Sequence, residues 1–388
     1  MRLRVAILST LLPVALVAAT TAGLAESRGH AAKAPSARPA GTRRFRWQRV
    51  VTASAPSVRI SAPIAYDPAT RQVVLIGGVR TINPKVGSPA ETETVLGDTW
   101  VFIDGDWSQM ISGPTPPIGD SPDVLAYDPG RKALFLVTAP AFVAGTARLT
   151  QPSTTWAWTG SHWSELLGSG PHWGTATTAS ALLAYDAATH QLVFAPAGGP
   201  STYVLGESGW LSEPKPPRLM TDMAYDPAAR RLVGQTETSG SMWWWTGKRW
   251  QLLERHVVVR LHAGSAYGMF VESANWVTDE AAGELIVFGY TAETTVSSVH
   301  TPNPPDLFAW IRGTWRPIEA KMNPVPENPQ NFSLAYDGSI GGVVAFGGGS
   351  GEFTSSGVPC PASTTKIDCP NPGYITGGNN TWKLVRSQ

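Results

Sequence analysis

The chain has 388 residues with 16 Trp, 39 Gly and 33 Pro, and only 15% are Asp, Glu, Lys or Arg. Two cysteines exclude a disulfide scaffold and a thiolate metal cluster. The formal charge of +1 divides unevenly: residues 47–388 carry 22 basic against 28 acidic residues, which argues against nucleic acid as a partner.

Met1-Arg2-Leu3-Arg4 precedes an apolar run from Val5 to Val17, and small residues follow to Ala25. This reads as a secretory signal peptide over 1–25, so the expected location is secreted or cell-envelope. An uncleaved anchor is the alternative, and only then would a membrane be a partner. Residues 26–46 hold Arg28, Lys33, Arg38, Arg43, Arg44 and Arg46 against Glu26, with Ala, Pro and Ser between. They are expected to form a disordered basic linker.

From residue 47 a repeat organises the chain. The phrase apolar-Ala-Tyr-Asp recurs at Tyr66-Asp67, Tyr127-Asp128, Tyr185-Asp186, Tyr225-Asp226 and Tyr336-Asp337, with a degenerate copy ending at Thr278-Asp279. Six residues after each Asp, an apolar residue (Val73, Leu134, Leu192, Leu232, Leu285, Val343) opens a β-rich run. The Asp-Pro-type segment between is a turn, because Asp bonds the backbone ahead of it and Pro presets φ.

A second phrase places an aromatic residue seven positions before a Trp. The pairs are Trp100 and Trp107, Trp156 and Trp163, Tyr203 and Trp210, Trp243 and Trp250, Phe308 and Trp315, each spanning a Gly-containing turn. Four strands per unit and six units of roughly 57 residues predict an all-β fold, a six-bladed β-propeller over 47–388. The sixth unit ends on Trp382 without its closing Trp strand, and that strand stands at Phe45-Arg46-Trp47 instead. The N-terminal strand is therefore expected to close the last blade and cover its edge.

These phrases, with the di-glycines Gly77-Gly78 and Gly347-Gly348, resemble the Kelch-type propellers, including the central domain of galactose oxidase. The resemblance covers 47–388 and implies an exported Kelch-repeat protein of bacterial type. It departs at Thr138-Ala139, Pro196-Ala197 and Thr236-Glu237, which replace the di-glycine. Galactose oxidase also implies a copper site with a tyrosine–cysteine cross-link, and no residues here match that motif.

In a four-stranded blade the turns after strands one and three share one face, and all are short here. The other connections vary. Asp to third-strand aromatic takes 17 residues in units three and four, but 33, 28, 29 and 45 in units one, two, five and six. Insertions thus fall at 79–97, 139–153, 290–305 and 349–379, on four consecutive blades of a closed ring. A wall over those blades is the predicted binding face. Cys360 and Cys369 lie in the largest insertion; an exported chain suits a disulfide between them, worth about 2.7 kcal/mol, with two independent thiols as the alternative.

Fourteen of the 16 Trp keep the register of the repeat, among them Trp47, Trp107, Trp163, Trp210, Trp250 and Trp315 in the fourth strands. Only Trp173 falls on a binding-face loop, beside His172. His256, His262 and His300 also fall in loops of that face, as candidate ligand contacts or ordinary surface histidines. No metal-ligand spacing, nucleophile elbow or phosphate loop is present, so no cofactor and no metal are expected. The reading is a non-catalytic propeller that binds a protein or glycan. A polysaccharide-active enzyme with its site at the central funnel and a purely structural envelope protein are the alternatives.

Overall fold

A computed structural model describes residues 45–83, 92–111, 113–119, 123–142, 149–167, 170–174, 181–236, 241–255, 269–293, 306–311, 313–318, 320–321, 332–347, 350–353, 373–376 and 379–386. Every element among them is a strand. Blade one runs from the axis outward as Ile64–Asp67, Gln72–Ile76, Thr99–Ile103 and Asp106–Met110. Blade two is Val124–Asp128, Ala133–Val137, Thr155–Trp158 and Trp163–Leu167. Blade three is Ala181–Asp186, Gln191–Pro196, Ser201–Leu205 and Trp210–Pro214. Blade four is Met220–Asp226, Arg231–Thr236, Met242–Trp245 and Trp250–Glu254. Blade five is Met269–Asp279, Glu284–Glu293, Asp306–Ile311 and Thr314–Ile318. Each inner strand packs on the next, and that of blade six returns to blade one, so the six blades make a closed propeller.

Blade six is the expected composite. Phe332–Asp337, Gly342–Gly347 and Thr381–Arg386 are joined by Phe45–Val50 from the other end of the chain, with Trp47 opposite Leu384. The strand opens at Phe45, where the sequence placed it, and Phe45 is itself buried in the blade. A two-residue strand, Ala320–Lys321, adds to the outside of Phe45–Val50 in parallel. This fifth strand partly covers the blade's edge.

The Tyr-Asp phrase ties blades together at the short-turn face. All six aspartates are buried and accept a turn N–H at 2.8–3.1 Å. Four residues on, the chain enters the left-handed region: Arg71, Lys132, His190 and Arg230 in four blades, Gly283 and Gly341 in the others. Burial raises the hydroxyl pKa of Tyr66, Tyr127, Tyr185, Tyr225 and Tyr336. In each case the next cause is the aspartate of the preceding blade: Asp337, Asp67, Asp128, Asp186 and Asp279 in turn. Blade five has Thr278 instead, whose Oγ1 donates to the Tyr225 carbonyl at 2.7 Å, while Trp310 hydrogen-bonds Asp226.

The fourth-strand tryptophans form a second latch. Trp107, Trp163, Trp210 and Trp250 each donate Nε1–H to the threonine just before the third-strand aromatic of the preceding blade: Thr381, Thr99, Thr155 and Thr202, at 2.8–2.9 Å. The equivalent position is Met242 in blade four and Leu307 in blade five. Their facing indoles, Trp315 and Trp47, are the two fourth-strand tryptophans whose Nε1 finds no partner among the described residues. A buried donor without an acceptor is costly, so Thr99→Val should destabilise by about 1–3 kcal/mol and Thr99→Ser by much less. Urea unfolding measures this; equal effects of the two would remove the latch from the account.

The di-glycine has a backbone reason too. Gly77 and Gly347 donate to the carbonyls of Asp98 and Asn380, at the mouth of the third strand. Thr138 and Thr236 make the same bond to Thr154 and Ser241, so the pattern survives without glycine. What glycine adds at Gly78 is room, since a Cβ there would stand 2.7 Å from the Ile60 carbonyl oxygen.

Candidate functional site

The insertions of blades one and six meet. Val79–Asn83 and Thr92–Val95 from blade one, with Ser350–Phe353 and Gly373–Thr376 from blade six, pair into one four-stranded antiparallel sheet. The junction runs through Tyr374 opposite Asn83, Ile375 opposite Ile82 and Thr376 opposite Thr81. Blade two adds a short hairpin, Ala141–Phe142 with Leu149–Gln151. In blade five the first two strands extend to 11 and 10 residues, with a bulge between Glu272 and Asn275. Blades three and four carry no such addition among the described residues. The additions thus rise over the four consecutive blades that spacing singled out.

The root of this wall is fixed by charge. Arg59, 1% exposed, forks onto both carboxylate oxygens of Asp98 at 2.7 and 2.9 Å. It also donates to the Gly77 carbonyl at 2.8 Å and to both oxygens of Ser57. Trp100 adds its indole N–H to Asp98 at 2.6 Å. Burial pushes the Asp98 pKa upward, but the hydrogen bonds from Arg59 and Trp100 and the guanidinium charge outweigh it and hold the carboxylate below its ordinary range. Ile60, next to Arg59 in the chain, bridges to Val79 where the blade-one insertion begins.

Two further carboxyl groups stand at the same end of the inner strands. Asp123, 6% exposed, accepts from the Ala139 N–H at 2.7 Å, and burial pushes its pKa up to about 7. Asp222, in the inner strand of blade four, is also pushed up to about 7 by burial, against one hydrogen bond from Thr221. Its surface is only half-buried although protein surrounds it closely, as befits a side chain beside the narrow axis. A bulge between Met220 and Asp222 displaces it from regular strand geometry. No cation pairs with either carboxyl among the described residues.

Trp173 is not a surface contact. It is 2% exposed, donates Nε1–H to Ser153 Oγ at 3.1 Å and packs on Phe194 at 5.1 Å. The loop position read from sequence is real, but the apolar space beside blade three's second strand takes the ring inward. His172 beside it is exposed, and its Nδ1 accepts from the Gly174 N–H at 3.2 Å. His256, His262, His300, Cys360 and Cys369 lie outside the described residues, as do the leader and the linker up to residue 44.

The residues that sequence reasoning missed are Arg59, Asp98, Asp123 and Asp222. For Asp222 a signal existed: it stands four before the repeat's Asp, where other blades have Pro63, Val124, Leu182, Asn275 and Ser333. Arg59 and Asp98 are 39 positions apart and carried no pattern at all.

The sequence matches no protein-family model and no curated protein. Among solved structures, the chain is similar to a gluconolactonase from Xanthomonas campestris (13% identity, TM-score 0.41, covering 90% of this chain and 99% of that one). It is also similar to an auxiliary nutrient binding protein from Bacteroides ovatus (9%, 0.45, 89% and 78%). A third is an inactive virginiamycin B lyase from Staphylococcus aureus, solved with quinupristin (8%, 0.41, 88% and 99%). The assignment of a six-bladed β-propeller rests on this chain's own sheets and their closed order.

Proposed function

We propose that this is an exported propeller of the Kelch type that binds a protein or a glycan on its walled face, without catalysis. The observation that carries the reading is the sheet shared by the insertions of blades six and one. Four strands drawn from two distant parts of the chain are ordered before any partner arrives. Less conformational entropy is then lost on binding, which is what preorganisation contributes to affinity. The leader-like residues 1–25 support export, and the Trp latches and the Gly77-Gly78 pair support the Kelch likeness.

Replacing 350–376 by a short Gly-Ser linker removes half of that sheet while leaving the six blades whole. Binding to a glycan array or to purified envelope proteins should fall more than about tenfold, with the unfolding midpoint displaced by only a few degrees. Undiminished binding by this variant sinks the proposal. The competing enzyme reading draws on Asp222, a carboxyl near neutrality beside the axis. Release of reducing ends from polysaccharide by the same preparations would favour it over simple binding.

A further inference from the structure

The hairpin that blade two adds to the wall is clasped at its root by the inter-blade connections on either side. Ala133–Val137 leads into it through Thr138 and Ala139, and Leu149–Gln151 leads out through Ser153 and Thr154. Thr138 and Thr154, both buried, close the root. Their hydroxyls lie 2.8 Å apart, and the Thr138 N–H donates to the Thr154 carbonyl at 3.0 Å. The outgoing leg is tied on both sides: Gln151 donates to the Pro117 carbonyl at 2.8 Å, and the Ser153 carbonyl accepts from the Gly170 N–H at 2.6 Å. Past Thr138 the incoming leg is tied from outside, among the described residues, by the 2.7 Å bond that Ala139 N–H donates to Asp123.

Asp123 is also the one group of this root that titrates. Its partner Ala139 belongs to an apolar cluster with Val137, Trp173, Ala181 and Phe194, and Val124, next to Asp123 in the chain, packs against the same cluster. Burial pushes the Asp123 pKa up to about 7, opposed by the Ala139 N–H and by no cation among the described residues. On the elements around the cluster, Tyr203 stays neutral, its pKa raised by burial, and His172 is exposed with its Nδ1 on the Gly174 N–H. Tyr127, Asp128, Tyr185 and Asp186 stand at the opposite, short-turn ends of their strands. Ionisation in place therefore leaves a charge in apolar surroundings, whereas an open root gives the carboxylate to water.

We propose that the blade-two hairpin is a pH-sensitive part of the wall: protonated Asp123 holds its root closed, and ionisation of Asp123 favours opening. The inference rests on the hairpin's own bonds, whatever ligand the face takes. The closed root keeps its proton to about pH 7 and an open one only to about pH 3.9, so closure is strongest below pH 4 and weakens as the pH rises to 7. Hydrogen exchange of the full-length protein at pH 5, 6, 7 and 8, divided by the intrinsic rates, measures the opening. For amides of 139–142 and 149–151 it should rise about tenfold from pH 5 to pH 6 and level off above pH 7. At each pH these amides should exchange faster than those of Leu134, Phe135 and Leu136, which marks the opening as local. Asp123→Asn keeps an acceptor for Ala139 and should flatten the profile, while Asp222→Asn should leave the rise intact. A flat profile in the unsubstituted protein, hairpin amides that exchange in step with 134–136, or a rise that survives Asp123→Asn overturns the proposal. Should Asp123→Asn fail to fold, the first two outcomes and the Asp222→Asn profile decide.

Discussion

Asp123→Asn should make the protein more stable at pH 8 than it is with the native residue, by a margin that shrinks as the pH falls. The buried carboxyl has a pKa of about 7 in the folded chain, above the value of about 3.9 expected when unfolded. The folded state therefore holds its proton to higher pH than the unfolded state does. That contribution to stability is complete below pH 4, is lost as the pH rises from 4 to 7, and is gone above 7. The slope is about 1.4 kcal/mol per pH unit inside that window, so the advantage of the variant should grow by about 2–3 kcal/mol between pH 5 and pH 8. Asparagine can still accept from Ala139 N–H through Oδ1, which keeps the 2.7 Å bond in play. Urea unfolding of both proteins at pH 5, 6, 7 and 8 measures the difference. Parallel curves would show that Asp123 is charged in the fold at little cost. Asp222 acts in the same direction, and the double variant should flatten the dependence further.

Trp47→Ala should be the most damaging single truncation of the closing strand, at about 3–5 kcal/mol. Trp47 is 1% exposed and belongs to a cluster that joins blade five (Ile286, Phe288, Leu307) to blade six (Val343, Trp382, Leu384). Its ring lies 5.1 Å from that of Phe288. The strand that carries it is held to the rest of blade six by a register that runs from Phe45–Arg386 to Val50–Thr381. Loss of this side chain weakens both the blade and the closure of the ring. Trp47→Phe should cost much less than Trp107→Phe, because only Trp107 gives up an indole hydrogen bond, to Thr381. Thermal or urea unfolding resolves the pair. A Trp47→Phe cost equal to that of Trp107→Phe would mean that the latch adds nothing to packing.

Much of this architecture was legible before any coordinates. The repeat of Tyr-Asp phrases, the aromatic-to-Trp spacing and the displaced closing strand each follow from local rules: turn residues, alternation, and the need to cover an edge. Uneven spacing between the phrases also located the four inserted blades. Trp173 shows where such reasoning stops. Its neighbours Gly170, Pro171 and Gly174 mark a loop, but whether a loop side chain turns to solvent or to the core depends on space left by Phe194.

What the amino-acid order determined by itself is the blade, since in blades one to five every strand pairs with a segment a turn or a loop away, and the strand that closes blade six carries the same Trp phrase as the others. Tertiary structure alone decided how blades meet. Trp107 reaches Thr381 across 274 positions, and the insertions of blades one and six merge into one sheet. The physical reason is that inter-blade partners are brought together by closing a ring, and ring closure relates positions that no local spacing connects.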